Sequence, residues 1–216
     1  MRSTATRPRL PIVLALALTA VSVAATSATS ASTAETPVDF ACQAKPPIVG
    51  PQAFAIPAGV TATAPDAAAA GSTFPVSLAT APITVPGGVN GYTVRSISNL
   101  KLSMPIPANA VLTGKSLSGG SGLGSGVPSL TTSGSTLLLT VPGPIGGGQT
   151  FTLPVVHLDL TAGEKGTTVS TQLAGSSYSN PGLTFNASVP IFGFPVNVPT
   201  ACYPSPNPVL SSTNVS

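Results

Sequence analysis

Apolar and polar residues alternate along most of this chain. Phe74, Val76 and Leu78 are separated by Pro75 and Ser77, and Leu100, Leu102 and Met104 by Lys101 and Ser103. The same beat returns in Leu137, Leu139 and Val141, in Val156, Leu158 and Leu160, and in Thr167, Val169, Thr171 and Leu173. Leu183, Phe185, Ala187 and Val189 continue it, followed by Phe192, Phe194, Val196 and Val198. A period of two sends every second side chain to one face of a pleated strand, so each run predicts a strand with one buried face. Between the runs stand Pro86-Gly87-Gly88, Pro142-Gly143-Pro144, Gly163-Glu164-Lys165-Gly166 and Asn180-Pro181-Gly182, all turn chemistry. Pro75, Pro154 and Pro195 lie inside apolar runs, and without an amide proton to donate they must occupy edges or bulges. No stretch beyond residue 34 carries a sustained helical period with caps. Short strands with such turns predict an all-β, Ig-like β-sandwich, either one expanded sandwich or two related halves. A faint echo between Gly71–Leu78 and Gly148–Val155 is the one sign of the second version.

The first residues obey another rule. Arg2, Arg7 and Arg9 precede an apolar stretch from Leu10 to Ala25, then a tract of small residues with cleavage points after Ala28, Ala31 or Ala34. This is the layout of a secretory signal peptide, and the apolar stretch falls short of the roughly 20 residues that span a bilayer. Taking the boundary at residue 34 divides the chain into a leader, 1–34, a sandwich domain, 35–202, and a Pro/Ser-rich tail, 203–216, expected to be extended and partly disordered. The expected location is secreted or in the cell envelope, by the general secretory route, with no transmembrane segment after cleavage.

Removing the leader changes the charge. The whole chain has eight Lys plus Arg against five Asp plus Glu. Without Arg2, Arg7 and Arg9, the cations are Lys45, Arg95, Lys101, Lys115 and Lys165, balanced by Glu35, Asp39, Asp66, Asp159 and Glu164. That balance leaves no basic footprint for nucleic acid. A surface of small, uncharged polar residues also has little repulsion between copies, which permits self-association or attachment to an envelope. Both cysteines, Cys42 and Cys202, survive cleavage, and in an oxidising compartment they predict one disulfide that ties the two ends together.

Catalytic chemistry is sparse. Gly114-Lys115-Ser116 evokes a phosphate loop, but Asn109 stands where the first glycine belongs and Leu117-Ser118-Gly119-Gly120 cannot start the required helix. The expectation is a strand ending in a flexible glycine loop, with no nucleotide. His157 shares a strand face with Asp159, yet parallel side chains two residues apart cannot build a Ser-His-Asp relay, and no Gly-x-Ser-x-Gly elbow exists. His157 is expected on a polar face opposite Val156, Leu158 and Leu160. One histidine and five scattered acids after residue 34 supply no metal cluster, and no cofactor motif is present. Phe192 and Phe194 are expected to fill the core near the disulfide, with a lipid-facing cleft as the sharper alternative.

Phe40-Ala41-Cys42, Val141-Pro142-Gly143-Pro144-Ile145, the segment Ser176 to Phe185 and the closing Val198-Pro199-Thr200-Ala201-Cys202-Tyr203-Pro204-Ser205-Pro206 together resemble a family of uncharacterised, small exported β-rich proteins of actinobacteria, the group with mycolic-acid envelopes. The resemblance covers nearly all of the chain after the leader. It implies export and an envelope setting and supplies no active residues. The expected function is therefore a noncatalytic envelope protein, structural or binding wall polymer or lipid. Its rivals are a secreted serine hydrolase using His157 and an oligomeric envelope pore.

Overall fold

A computed structural model describes residues 31–47 and 49–216. Residues 1–30, the larger part of the expected leader, lie outside the described residues. The strands in chain order begin with β1 (Ala31–Ala44), β2 (Gln52–Pro65), β3 (Ala67–Ala68), β4 (Thr73–Thr80), β5 (Ile83–Thr84) and β6 (Gly88–Val89). They continue with β7 (Tyr92–Thr93), β8 (Ser96–Pro105), β9 (Ala110–Ser118), β10 (Ser129–Ser133), β11 (Thr136–Val141) and β12 (Ile145–Gly146). The last six are β13 (Thr150–Phe151), β14 (Val155–Ala162), β15 (Thr168–Thr171), β16 (Leu183–Ile191), β17 (Phe194–Pro204) and β18 (Ser211–Val215).

The alternation becomes burial strand by strand. In β14, Val156, Leu158, Leu160 and Ala162 are buried while Asp159 is exposed and His157 half-buried. In β16 the buried set is Leu183, Phe185, Ala187 and Val189. These faces meet in one core, in which Leu137, Leu139, Val141 and Leu160 are among the side chains sealed off completely. Fully burying a leucine or valine contributes about 1.5–3 kcal/mol, so the repeated faces, added together, drive the fold.

The fold is all-β and sandwich- or barrel-like, as the pattern predicts. Its main element is a single eleven-stranded antiparallel sheet in the order β10-β11-β8-β16-β17-β1-β2-β4-β14-β9, with β12 also pairing β8. The outer strands β9 and β10 come together where Lys115 Nζ donates to Thr132 Oγ1, so the sheet nearly closes on itself. Its middle seam is the β1–β17 pairing of five register pairs, Phe40↔Pro204 to Ala44↔Thr200. The seam is short beside the fourteen pairs of β1 with β2 and the nine of β16 with β17. The Cys42–Cys202 disulfide crosses it, joining residues directly opposite one another with Cα atoms 4.1 Å apart.

The prolines sit where a missing donor is harmless. Pro75 lies in β4 beyond the last β2–β4 pair, Thr63↔Ser77, and Pro195 faces Pro190 near a hairpin tip. The echo between 71–78 and 148–155 does not mark equivalent halves: Phe74 belongs to β4, and its counterpart Phe151 to the two-residue β13 paired with β5.

Three expectations are corrected. The end of the chain is not a disordered tail. β18 pairs antiparallel with β15 and parallel with β3, Leu210, Thr213 and Val215 are buried, and Thr213 Oγ1 donates to Pro65 O at 2.7 Å. The glycine stretch after β9 is pinned rather than flexible, because Ser121 and Thr152 exchange two backbone bonds of 3.1 and 2.9 Å. Phe192 and Phe194 do not fill the core; both are exposed. β1 stops at Ala44 opposite Thr200, so the part of β17 before Thr200 has no β1 partner to lie against. Apart from these, residues 31–34 are part of β1, opposite Ala62–Pro65.

A candidate lipid cavity and the His157 cluster

At one end of the molecule the inward faces do not meet tightly. This end gathers the close of β1, the start of β2, the β16–β17 hairpin and the 81–95 and 142–154 connections. Here a cavity of about 90 Å³ opens between Phe40, Phe54 and Ile56 on one side and Leu100, Phe185 and Val189 on the other. Ile83, Val85, Val94 and Phe151 from the connections form its lid and wall. Phe54, Ile56, Ile83, Val89, Tyr92 and Ile191 are only half-buried, so the cavity is not sealed from solvent.

Among the described residues no charged side chain lines it, and its polar members are few: Gln52, Thr84, Tyr92 and Thr200. Gln52 turns its amide to the rim, where its nitrogen donates to Gly50 O at 2.9 Å and its oxygen accepts from Asn90 at 3.1 Å. Among the described residues no buried side-chain polar atom lacks a partner. The space is several times the roughly 10–15 Å³ one water needs, yet its wall offers water no set of polar partners. Such a cavity suits a hydrocarbon chain, selected by shape and apolarity rather than by hydrogen bonds.

The phenylalanines expected to bind a ligand stand apart from the cavity. Phe192 and Phe194 lie outside it, at the tip of the hairpin whose Ile191 helps line it. The lining residues of β2 went unrecognised in the sequence, although Phe54, Ile56, Ala58 and Val60 alternate as clearly as the other runs. That signal marks a strand, and only the packing shows that part of its inward face meets empty space.

The second cluster lies on the outer face. His157 of β14 is opposite Ser77 of β4 and Ser116 of β9. Its Nδ1 is 3.0 Å from Ser77 Oγ, and its Nε2 is 2.7 Å from Ser118 Oγ. Sequence reasoning placed His157 on the polar face correctly but missed both serines, which reach it across strands rather than along one. If Nε2 accepts from Ser118, Nδ1 must donate to Ser77, the arrangement of a nucleophile, a base and an orienting acceptor. The orienting group is a neutral hydroxyl, which cannot balance an imidazolium as a carboxylate does. Both ring nitrogens are occupied by serines, and Asp159 instead sits against Gly114, with a bulge at Asp159/Leu160. Gly114-Lys115-Ser116 itself is ordinary pleated strand in β9, not a loop around a phosphate.

A shallow, polar hollow of about 350 Å³ lies on the outside of the sheet, lined by Lys45, Lys101, Asn99 and Asn186 among others. Among the described residues, no helix is long and apolar enough to cross a membrane.

No family model matches the chain, and no curated protein matches it in sequence. Its fold is similar to that of a Corynebacterium diphtheriae protein inferred to be membrane-anchored, with a TM-score of 0.51 and 18% identity over 86% of this chain. The chain spans 38% of the length of that protein, so the likeness is one of fold, to part of a longer molecule from an actinobacterium.

Proposed function

We propose that this is an exported, noncatalytic cell-envelope protein that holds the hydrocarbon part of a lipid in its cavity. The observation that carries this reading is the apolar cavity without charged lining residues, whose wall is partly exposed to solvent. Each methylene taken from water into such a space contributes about 0.8 kcal/mol, so six of them contribute about 5 kcal/mol before the cost of ordering the chain. The disulfide fits an oxidising compartment, and the fold neighbour inferred to be membrane-anchored fits an envelope setting. Family membership among exported actinobacterial proteins belongs to the same proposal.

A fluorescent polyunsaturated fatty acid whose emission rises in apolar surroundings tests the cavity. Saturable enhancement is expected with the native protein. Ala58→Phe, which fills the space from a half-buried lining position, is expected to abolish it while leaving the melting temperature nearly unchanged. Absence of saturable binding to the native protein, or binding unaffected by Ala58→Phe, would overturn the reading.

A serine hydrolase is the second reading, favoured by the 2.7 Å contact of Ser118 Oγ with His157 Nε2. It ranks second because the pair sits on the outer face of the sheet and the orienting group is Ser77 rather than an acid. Hydrolysis of short-chain nitrophenyl esters that vanishes in both Ser118→Ala and His157→Ala would establish it; equal rates in all three proteins would end it. The pore reading has less support. The interior is packed with Leu137, Leu139 and Leu160, while outward positions such as Lys101, Thr184, Asn186 and Asn197 are polar, the reverse of a membrane barrel.

A further inference from the structure

We propose that the tip of the β16–β17 hairpin is a docking element that seats the protein on an anionic lipid surface. Phe192 is 86% exposed and Phe194 74% exposed, the two most exposed aromatic side chains among the described residues. The turn makes this exposure more telling. Phe192 has φ 50° and Gly193 φ 84°, so both central residues of a two-residue hairpin loop are left-handed. Asparagine-glycine suits that conformation, whereas a bulky aromatic at positive φ is strained. Folding gains little from phenylalanine here, since the residue stays 86% exposed, and a contact outside the chain supplies the reason for it.

Charge identifies the surface. From Ser188 to Pro199 the hairpin carries no ionisable side chain. Cations flank its root on both sides: the Lys45 amide donates to Pro199 O at 3.0 Å, and the Arg95 amide to Ser188 O at 2.8 Å. Both side chains are exposed, and Lys101 joins Lys45 around the outer hollow. No acid occurs in the flanking segments 43–52 and 88–99. Asp66 and Glu164 lie at the opposite end, where Asp66 O accepts from Asn214 and the 163–166 turn bonds Val215. An apolar aromatic tip that projects beyond Lys45 and Arg95 at the hairpin root matches the boundary between acyl chains and anionic headgroups. The docking goes beyond the cavity reading and does not depend on it; where both hold, it brings Ile191, one of the cavity's lining residues, close to the lipid.

The test uses the full chain with its disulfide formed, and co-sedimentation with vesicles of phosphatidylcholine with or without phosphatidylglycerol. The native protein is expected to bind the anionic vesicles, less at high salt, and the neutral ones weakly. Phe192→Ser/Phe194→Ser is expected to lose at least about tenfold in binding. Lys45→Gln and Arg95→Gln are each expected to cost about fivefold, on anionic vesicles only. Phe194→Trp keeps the tip apolar in a chain that has no other Trp, and its emission should shift to the blue on anionic vesicles. Absence of sedimentation, undiminished binding of the double serine variant, or an unshifted Trp spectrum would each overturn the proposal. So would a native dimer that the serine variant abolishes without any change in vesicle binding, because the tip would then be an interface between copies.

Discussion

Removing the disulfide is the perturbation whose size the fold best specifies. Cys42 and Cys202 are separated by 160 residues and both are fully buried. Restricting an unfolded chain by a loop of that length costs it entropy, and the chain-entropy relation gives about 5 kcal/mol at room temperature. Domains are stable by only about 5–15 kcal/mol, so the bond is a large share of the margin. In the folded state, by contrast, the two residues stay opposite one another without it, held by the flanking β1–β17 pairs and by longer pairings on either side. Cys42→Ala/Cys202→Ala is therefore expected to fold to the same structure and to lose about 5 kcal/mol in urea unfolding followed by circular dichroism, with a larger m-value from a more expanded unfolded state. At roughly 2–4 °C per kcal/mol for a chain of this size, the melting temperature should fall by about 10–20 °C. Alanine is the right replacement, because a serine hydroxyl would add its own burial penalty. A loss under about 1 kcal/mol with an unchanged m-value would refute the reasoning, since the unfolded ensemble would then already hold the two ends together.

Other consequences are open to measurement. Leu139→Ala removes a fully buried side chain and should cost about 2–5 kcal/mol in the same urea assay. Gly182→Ala puts a methyl against the Ala174 carbonyl, so it should destabilise by well over the roughly 1 kcal/mol of an ordinary glycine change, read as a shifted urea midpoint. Phe192→Asn should raise stability by up to about 1 kcal/mol, because asparagine tolerates the left-handed turn, while weakening vesicle binding. On the proposed export route, N-terminal sequencing of the mature protein should find Thr29 or Ser32 first rather than Glu35, since cleavage after Ala34 would remove the four β1 pairs of residues 31–34.

Much of the fold was legible because strand burial is local. Whether Leu158 faces in or out is decided by its neighbours Val156 and Leu160, and the alternation in β4, β8, β11, β14 and β16 reads directly as burial. The disulfide was legible for a different reason: with two cysteines in the chain there is one internal pairing. The run Phe192 to Val198 shows the limit of the method. Its period is right, and Val198 is buried, but whether Phe194 has anything to pack on depends on β1 ending at Ala44. The C-terminal residues misled for a similar reason, as β18 is short and polar and finds its order in distant Pro65 and Ala68.

The amino-acid order, then, determined which residues pleat, which face of each strand is apolar and how the chain is tied. Tertiary structure decided what those faces meet. Ser118 and Ser77 converge on His157 only because β9 and β4 flank β14, and Phe54 and Ile56 border a cavity only because the inward faces brought together at that end do not fill the space between them. Period and composition are properties of neighbours along the chain, whereas a site is a property of strands that pair across dozens of residues.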